Sequence, residues 1–347
     1  MSDAPLLLGI DGGNTKTVAL LARADGSVVG TARRLACADP YVVGIDAAAE
    51  VVIATAEEAR LGARRAGAGG SIVHAVASMA GADWPEDLDE LTSALRPSWP
   101  AIRVVNDALG ALRAAVPHGP GVVVVAGTGA AIGARGPDGT TWHSSFWQEP
   151  HGARELAMRT VQALIRAELG IDPPSGLTER VLQATGDATV EALLHRRTRR
   201  GPSRWAEFDG LAGVLLDAAA DGDPTAMAIV REQGESMGRT ALAAARRVGI
   251  GGGPFPLALT GGLFRHEGTH LAEALIDAVH VERPEARPVR PELPPVAGAL
   301  LLAFDLATIP VTADVERRLA STLATDALYD TRAAVASGRG GSAGPGS

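Results

Sequence analysis

Two carboxylates and two glycine-rich turns carry the chemistry this sequence could perform. The first turn is Gly9-Ile10-Asp11-Gly12-Gly13-Asn14-Thr15-Lys16-Thr17, entered by Leu6-Leu7-Leu8 and left by Val18-Ala19-Leu20-Leu21. Glycines let backbone N–H groups approach an anion. Gly12 and Gly13 offer that approach, and Asn14, Thr15 and Thr17 add side-chain donors. Asp11 is a hard oxygen ligand, suited to a Mg²⁺ carried by phosphates. A Walker loop would need a glycine where Asn14 stands. A dinucleotide loop would open a helix, whereas Val18 to Leu21 has β character. Taken alone, the stretch also reads as an ordinary hairpin with a Gly-Gly turn. Lys16 reads as a solvated strand residue.

The second carboxylate is Asp107. The apolar strand Ile102 to Val105 ends at Asn106-Asp107, and Ala108 to Val116 follows as a helix. A residue there lies on the ligand edge of an open α/β sheet. Its carboxylate could accept the proton of an attacking hydroxyl in phosphoryl transfer, or it could simply cap the helix. Asn106 could orient a substrate or satisfy the turn.

The first turn has a counterpart. Val122-Val123-Val124-Val125-Ala126-Gly127-Thr128-Gly129-Ala130-Ala131-Ile132-Gly133 is again strand, glycine turn, strand. Ala24-Asp25-Gly26 follows the first hairpin and Pro137-Asp138-Gly139 the second, each leading into a third strand, Val28 to Arg33 and Thr140 to Ser144. A duplicated α/β domain facing itself across a cleft follows. Its paired turns could clamp the phosphates of a nucleotide from both sides, with Thr15 and Thr128 as donors.

In order and spacing, Gly9 to Thr17, Asn106-Asp107, Gly127-Thr128-Gly129 and Thr260-Gly261-Gly262-Leu263-Phe264 resemble the actin-like sugar-kinase superfamily. Within it the chain resembles N-acetylglucosamine kinases of the BadF/BadG/BcrA/BcrD ATPase family, over roughly residues 5 to 305. The resemblance implies duplicated actin-like (ribonuclease H-like) ATPase domains around a nucleotide cleft. It implies ATP with Mg²⁺ as cofactor, Asp107 as catalytic base and Asp11 on the metal side. Gly261-Gly262 would form the adenosine turn, and Ala219 would lie on the adenine side.

The sugar side departs from that family. Its Ser-Asn-Pro-Tyr-like loop is replaced by Ala38-Asp39-Pro40-Tyr41, and its Gly-Asp-Glu-Gly run by Gln148-Glu149-Pro150-His151-Gly152. Asp39, Asn106, Asp107 and Glu149 are the expected substrate contacts, with Glu149 standing in for the lost aspartate, or the loop rebuilt, and His151 an ordinary loop histidine. A carboxylate accepts but cannot donate, so these changes suit an amino sugar with a free ammonium. The expected function is ATP-dependent phosphorylation of an amino sugar at its 6-hydroxyl. A non-catalytic sugar or nucleotide sensor is the alternative. An iron–sulfur ATPase activator of a dehydratase is disfavoured because only Cys37 could supply a thiolate.

Composition sets the remaining bounds. The 347 residues suit two domains, with 46% hydrophobic residues but only 3% aromatic, so the cores are built from Ala, Val and Leu. Net charge is -8, and the basic residues cluster only at Arg196-Arg197 and Arg199-Arg200, which argues against a nucleic-acid partner. No helix-turn-helix segment precedes Leu6, and no stretch reaches membrane-spanning length. A cytoplasmic protein binding a small molecule, with a homodimer open, is expected.

Periodicity places helices at about 46–65, with Asp46 as the cap, and at 85–95, 108–116 and 154–169. More follow within 175–219 and at 224–248, 296–306 and 313–335, with strands at 72–79, 102–105 and 257–260. The expected divisions are 1–117, 118–336 with a helical insertion, and a disordered Gly/Ser-rich tail at 337–347.

Overall fold

The computed structural model describes residues 4–199, 208, 210–323 and 328. The first half opens with a meander of β1 (Leu6–Gly12), β2 (Thr17–Arg23) and β3 (Val28–Arg34). The single turn α1 (Pro40–Val43), then α2 (Ile45–Arg65), β4 (Ile72–Met79), α3 (Pro85–Leu95), β5 (Ile102–Asn106) and α4 (Asp107–Ala115) follow. The second half repeats the meander with β6 (Gly121–Ala126), β7 (Ala130–Arg135) and β8 (Thr141–His143). After it come α5 (Ala153–Glu168), α6 (Leu177–Thr185), α7 (Val190–Thr198), α8 (Leu211–Ala220) and α9 (Pro224–Arg247). β9 (Pro256–Thr260), α10 (His270–Glu282), β10 (Arg287–Val289), α11 (Pro295–Leu306) and α12 (Ala313–Thr322) complete the described elements.

The two sheets have one topology. Their orders are β3-β2-β1-β4-β5 and β8-β7-β6-β9-β10. In each, the meander is antiparallel and the two remaining strands run parallel to its first strand. Parallel strands are buried on both faces and therefore read as continuous apolar runs. Leu6, Leu8 and Ile10 point to the α2 side, against Ala48, Val52 and Ala56, while Leu7 points the other way, towards Leu300. In the second sheet Val122 and Val124 join the large helical core, and Val123 packs with Ala111 and Leu112 of α4.

The inner faces are thus covered crosswise. Helix α4 follows the first sheet but lies on the second, and α11 follows the second sheet but lies on β1 and β4 of the first. The two helices cross with backbones nearly touching: a Cβ on Gly298 would lie 1.8 Å from the Gly110 carbonyl oxygen. Gly9 serves the same junction, since its Cβ would fall 2.3 Å from the amide nitrogen of Leu300. Buried Arg113 of α4 pairs with Asp305 of α11 at 2.9 Å. Helix α12 adds Val315 and Leu319 to the core around Leu7 and Val18.

Some expected boundaries move. Asp46 lies inside the first turn of α2, where the helix dipole favours an acid, and Gly44 occupies the cap. Pro40 to Val43, read as loop, forms one helical turn capped by Asp39. The last described helix ends at Thr322. The expected continuation to 335 and the tail at 337–347 fall outside the described residues, apart from Leu323 and Leu328.

Candidate active site

The two glycine turns meet. Each is closed by a short backbone bond, Gly13 N–H to Lys16 O at 3.0 Å and Gly127 N–H to Gly129 O at 2.8 Å. The hydroxyl oxygens of Thr15 and Thr128 lie 3.0 Å apart across the cleft. Gly127, Gly129 and Gly262 have no atom within 4 Å of where a Cβ would sit, so open space lies over them. The protein's own packing does not require glycine at these three positions. They leave a backbone-lined hollow of the kind that a phosphate or ribose needs, which fits the expected nucleotide.

Several segments hold that hollow in place. Gly261 has φ +106°, and its Cβ would come 2.3 Å from the Ala126 carbonyl oxygen, so this turn is pressed against the end of β6. Gly152 is pressed against Gly129 in the same way. The first amides of α5, Ala153 and Arg154, donate to the carbonyls of Gly127 and Thr128 at 2.9 and 3.0 Å.

Two expected nucleotide contacts are corrected. Thr17 is fully buried in β2, and its hydroxyl donates to the Ala36 carbonyl at 3.1 Å, so it is not a phosphate donor. Ala219 sits in α8 with its side chain inside the large helical core, packed rather than turned to a nucleotide. Lys16 is half-buried, not a solvated strand residue. Burial and the neighbouring Arg265 push its ammonium down to about 8, with Asp11 opposing. Arg265, which sequence reasoning did not single out, belongs to the short 3₁₀ turn Leu263–Arg265 directly after Gly261-Gly262.

At the end of β5 the capping question resolves. Asn106 is the cap of α4: its side-chain oxygen accepts from the Ala108 amide at 3.0 Å, and its amide donates to Asp83 at 2.7 Å. Asp107 is therefore not needed as a cap. Its carboxyl, crowded by protein but with some solvent exposure, is pushed up to about 7. Burial is the largest cause, followed by repulsion from Asp11 and Asp83, with the Ala108 amide partly offsetting them and Asp39 adding a little. Such a carboxyl can hold or release a proton at neutral pH.

Asp83 is the acid the sequence reading missed. It follows β4, the strand next to β5, so it occupies the same strand-end edge as Asp107. Burial raises its carboxyl to about 6, against hydrogen bonds from Ser145 and Asn106, with Asp39 and Asp87 adding repulsion. Asp39 is buried and accepts from the Tyr41 amide at 2.9 Å. Asp11, Asp39, Asp83 and Asp107 thus come from successive strand ends of one sheet.

Glu149 does not join them. It is exposed, and its carboxylate accepts a short hydrogen bond from Ser236 of α9 at 2.5 Å, which holds it below the usual carboxylate range. Ser236 also contacts His151 Nε2 at 2.9 Å, and burial pushes that imidazole down to about 4. His151 is therefore a buried neutral histidine rather than an ordinary loop residue.

Two sheets of one topology, crossing helices and facing glycine turns define the duplicated actin-like ATPase fold. The chain belongs to the BadF/BadG/BcrA/BcrD ATPase family, whose profile matches residues 8–303. The fold is similar to that of a candidate N-acetylglucosamine kinase from Chromobacterium violaceum. That protein is 27% identical over 87% of this chain and 100% of its own, with a TM-score of 0.67. A second candidate N-acetylglucosamine kinase, from Porphyromonas gingivalis, is 19% identical with a TM-score of 0.60, over 85% of this chain and 97% of that one. A ROK-family glucokinase from Streptomyces griseus, solved with glucose and AMPPNP, shares the fold at 17% identity and a TM-score of 0.57, over 86% and 99%. Among the described residues no helix is long and apolar enough to cross a membrane.

Proposed function

We propose that this protein is an ATP-dependent kinase that phosphorylates the 6-hydroxyl of an amino sugar in the cytoplasm. The observation that carries this reading is the meeting of Thr15 and Thr128 across the cleft, with Asp107 at the end of β5 close enough to Asp11 of the first turn for their charges to repel. The division near residue 117 then separates two lobes that grip the triphosphate between Gly12-Gly13 and Gly127-Thr128-Gly129. The Chromobacterium relative supports a sugar as phosphoryl acceptor.

Asp107 accepts the proton of the sugar hydroxyl as that oxygen attacks phosphorus in line. Asn106 fixes the start of α4 and orients Asp83, which with Asp39 faces the sugar. Asp11 is the protein carboxylate that would hold Mg²⁺, whose charge offsets that of the phosphates. The charges that raise Asp83 and Asp107 most are other carboxylates, Asp39 and Asp87 for the first and Asp11, Asp83 and Asp39 for the second. That imbalance favours a substrate bearing an ammonium, hence glucosamine over N-acetylglucosamine.

Replacing Asp107 by Asn tests the reading. Sugar-dependent ADP release should collapse while the fold stays intact, because Asn106 still caps α4. Unchanged turnover would remove Asp107 from the role. A clear preference for the acetylated sugar would reject the ammonium. Sugar binding without any phosphorylated product would favour a sensor instead.

A further inference from the structure

Of the chain's five tryptophans, two tyrosines and five phenylalanines, four sit together where the two halves of the chain meet. Tyr41 meets Phe146 edge-on at 5.5 Å, Phe146 stacks on Trp84 at 6.3 Å, and Trp84 meets Trp147 at 6.4 Å. Tyr41 and Trp84 come from the first half of the chain, Phe146 and Trp147 from the second. All four stay between 37% and 59% exposed, while the other rings among the described residues are mostly buried. Exposed apolar groups gathered into one patch mark a binding surface.

Their neighbours in the chain tie this patch to the site. Tyr41 follows Asp39-Pro40, Trp84 follows Asp83, and Phe146 follows Ser145. Ser145 holds a left-handed backbone, φ 41°, and bonds both His143, at 2.5 Å, and Asp83. A non-glycine residue in that region is strained, and such strain gathers at functional sites. Here it turns the chain so that Phe146 and Trp147 follow directly on a residue bound to Asp83.

We infer that this aromatic row is a subsite for a second pyranose ring, joined by a glycosidic bond to the sugar that is phosphorylated. The inference rests on the kinase reading for the position of the first ring. A pyranose has an apolar C–H face and an edge of hydroxyls. The row offers matching chemistry: aromatic faces with carboxylates at their edges. Asp87 already accepts from the Tyr41 hydroxyl at 3.0 Å, and Glu86 lies next to it in the chain. Arg247 lies over the Trp147 ring at 5.3 Å, but a single arginine beside Asp83, Glu86 and Asp87 does not make the basic surface that anionic lipid and nucleic acid need. Four rings also present more surface than one pyranose can cover.

The full-length protein is assayed with glucosamine and with its β-1,4-linked disaccharide. The disaccharide should show a kcat/KM higher by about tenfold, the size of one good aromatic contact. In Phe146→Ala the ratio of disaccharide to monosaccharide kcat/KM should fall towards one, with an unchanged melting temperature. An equal or poorer disaccharide, or a Phe146→Ala variant that loses both activities with the ratio intact, overturns the subsite. In the second outcome the rings serve only to clasp the two lobes. If neither sugar is phosphorylated, a tryptophan-fluorescence titration still decides. Tighter disaccharide binding that is lost in Phe146→Ala supports the subsite even as the kinase reading falls, and equal binding overturns it.

Discussion

The two glycine turns look alike in sequence, yet glycine is present in them for different reasons. In the first, the neighbours leave little room: a Cβ on Gly12 would lie 3.3 Å from Ala38 and Met79, and one on Gly13 3.2 Å from the Lys16 carbonyl oxygen. In the second, Gly127 and Gly129 face open space. The acids are divided as unequally. Asp11, Asp39, Asp83 and Asp107 all rise from strand ends of the first sheet, while Glu149 of the second half is tied to Ser236. Duplication therefore supplied two similar frames, and the candidate chemistry lies in what the frames do not share. One frame holds the acids, and the other holds the emptier cradle.

The largest effect expected from this contrast concerns the acids. Asp107→Asn should lower kcat by about 10²- to 10⁴-fold, the usual scale for a general base, whereas Glu149→Gln should cost under about tenfold. Comparable losses in a coupled ADP-release assay would erase the division. Next come the glycines. Gly127→Ala and Gly129→Ala should raise the KM for ATP by about tenfold or more while the melting temperature moves by only about 2 °C. Gly12→Ala should do the reverse, lowering the melting temperature as Met79 is displaced, with a smaller change in KM. If Gly127→Ala instead melts the protein, the open cradle is wrong.

An intermediate effect is set by pH. With its carboxyl at about 7, Asp107 must lose a proton to act as base, so kcat/KM for the sugar should climb as pH rises to about 7 and then level. The sign for stability is opposite. Between the unfolded value near 4 and the folded value near 7, the folded protein binds this proton more tightly than the unfolded chain. Stability from this group is therefore lost as pH rises through that window. Asp107→Asn, held neutral, should melt higher than the parent at about pH 8, and the gap should close at about pH 4. The smallest effect belongs to the contact between the turns. Thr15→Val and Thr128→Val should each cost about 0.5–1.5 kcal/mol in ATP binding, as for one hydrogen bond. The double variant should be no worse than the sum of the two, and a titration of nucleotide against each protein measures it.

Much of this frame was legible in the chain. Uninterrupted apolar runs such as Val122 to Val125 mark strands buried on both faces, and the repeated strand–glycine–strand pattern marked the duplication. Helices α3 and α9 carry proline in the first turn, so their starts could be read closely. The missed elements had weak local signals. β10 has three residues with a proline in the middle, tolerated because the strand lies at a sheet edge. Helix α10 begins without a side-chain cap, so its start carries little local signal. Within the site, Asp107 stood out because an apolar strand runs straight into it. Asp83 sits after the turn Ala80-Gly81-Ala82 and reads as a loop acid until β4 and β5 are seen side by side. Thr17 and Ala219 show the converse: a residue type suited to a ligand is spent on packing when its backbone lies inside a strand or a core helix. Arg265 could not be found by spacing, since its link to Lys16 is made only by the fold.

The crosswise placement of α4 and α11 has a consequence for how the cleft can work. Each half of the chain lends the other the cover for its inner sheet, so neither could be made alone without baring Leu7, Val18 or Val123 to water. The backbones at Gly110 and Gly298 already touch, which leaves no gap for the helices to slide into. Any change in the width of the mouth must then be a pivot about that crossing, so the Thr15–Thr128 contact and the aromatic row should open and shut as one.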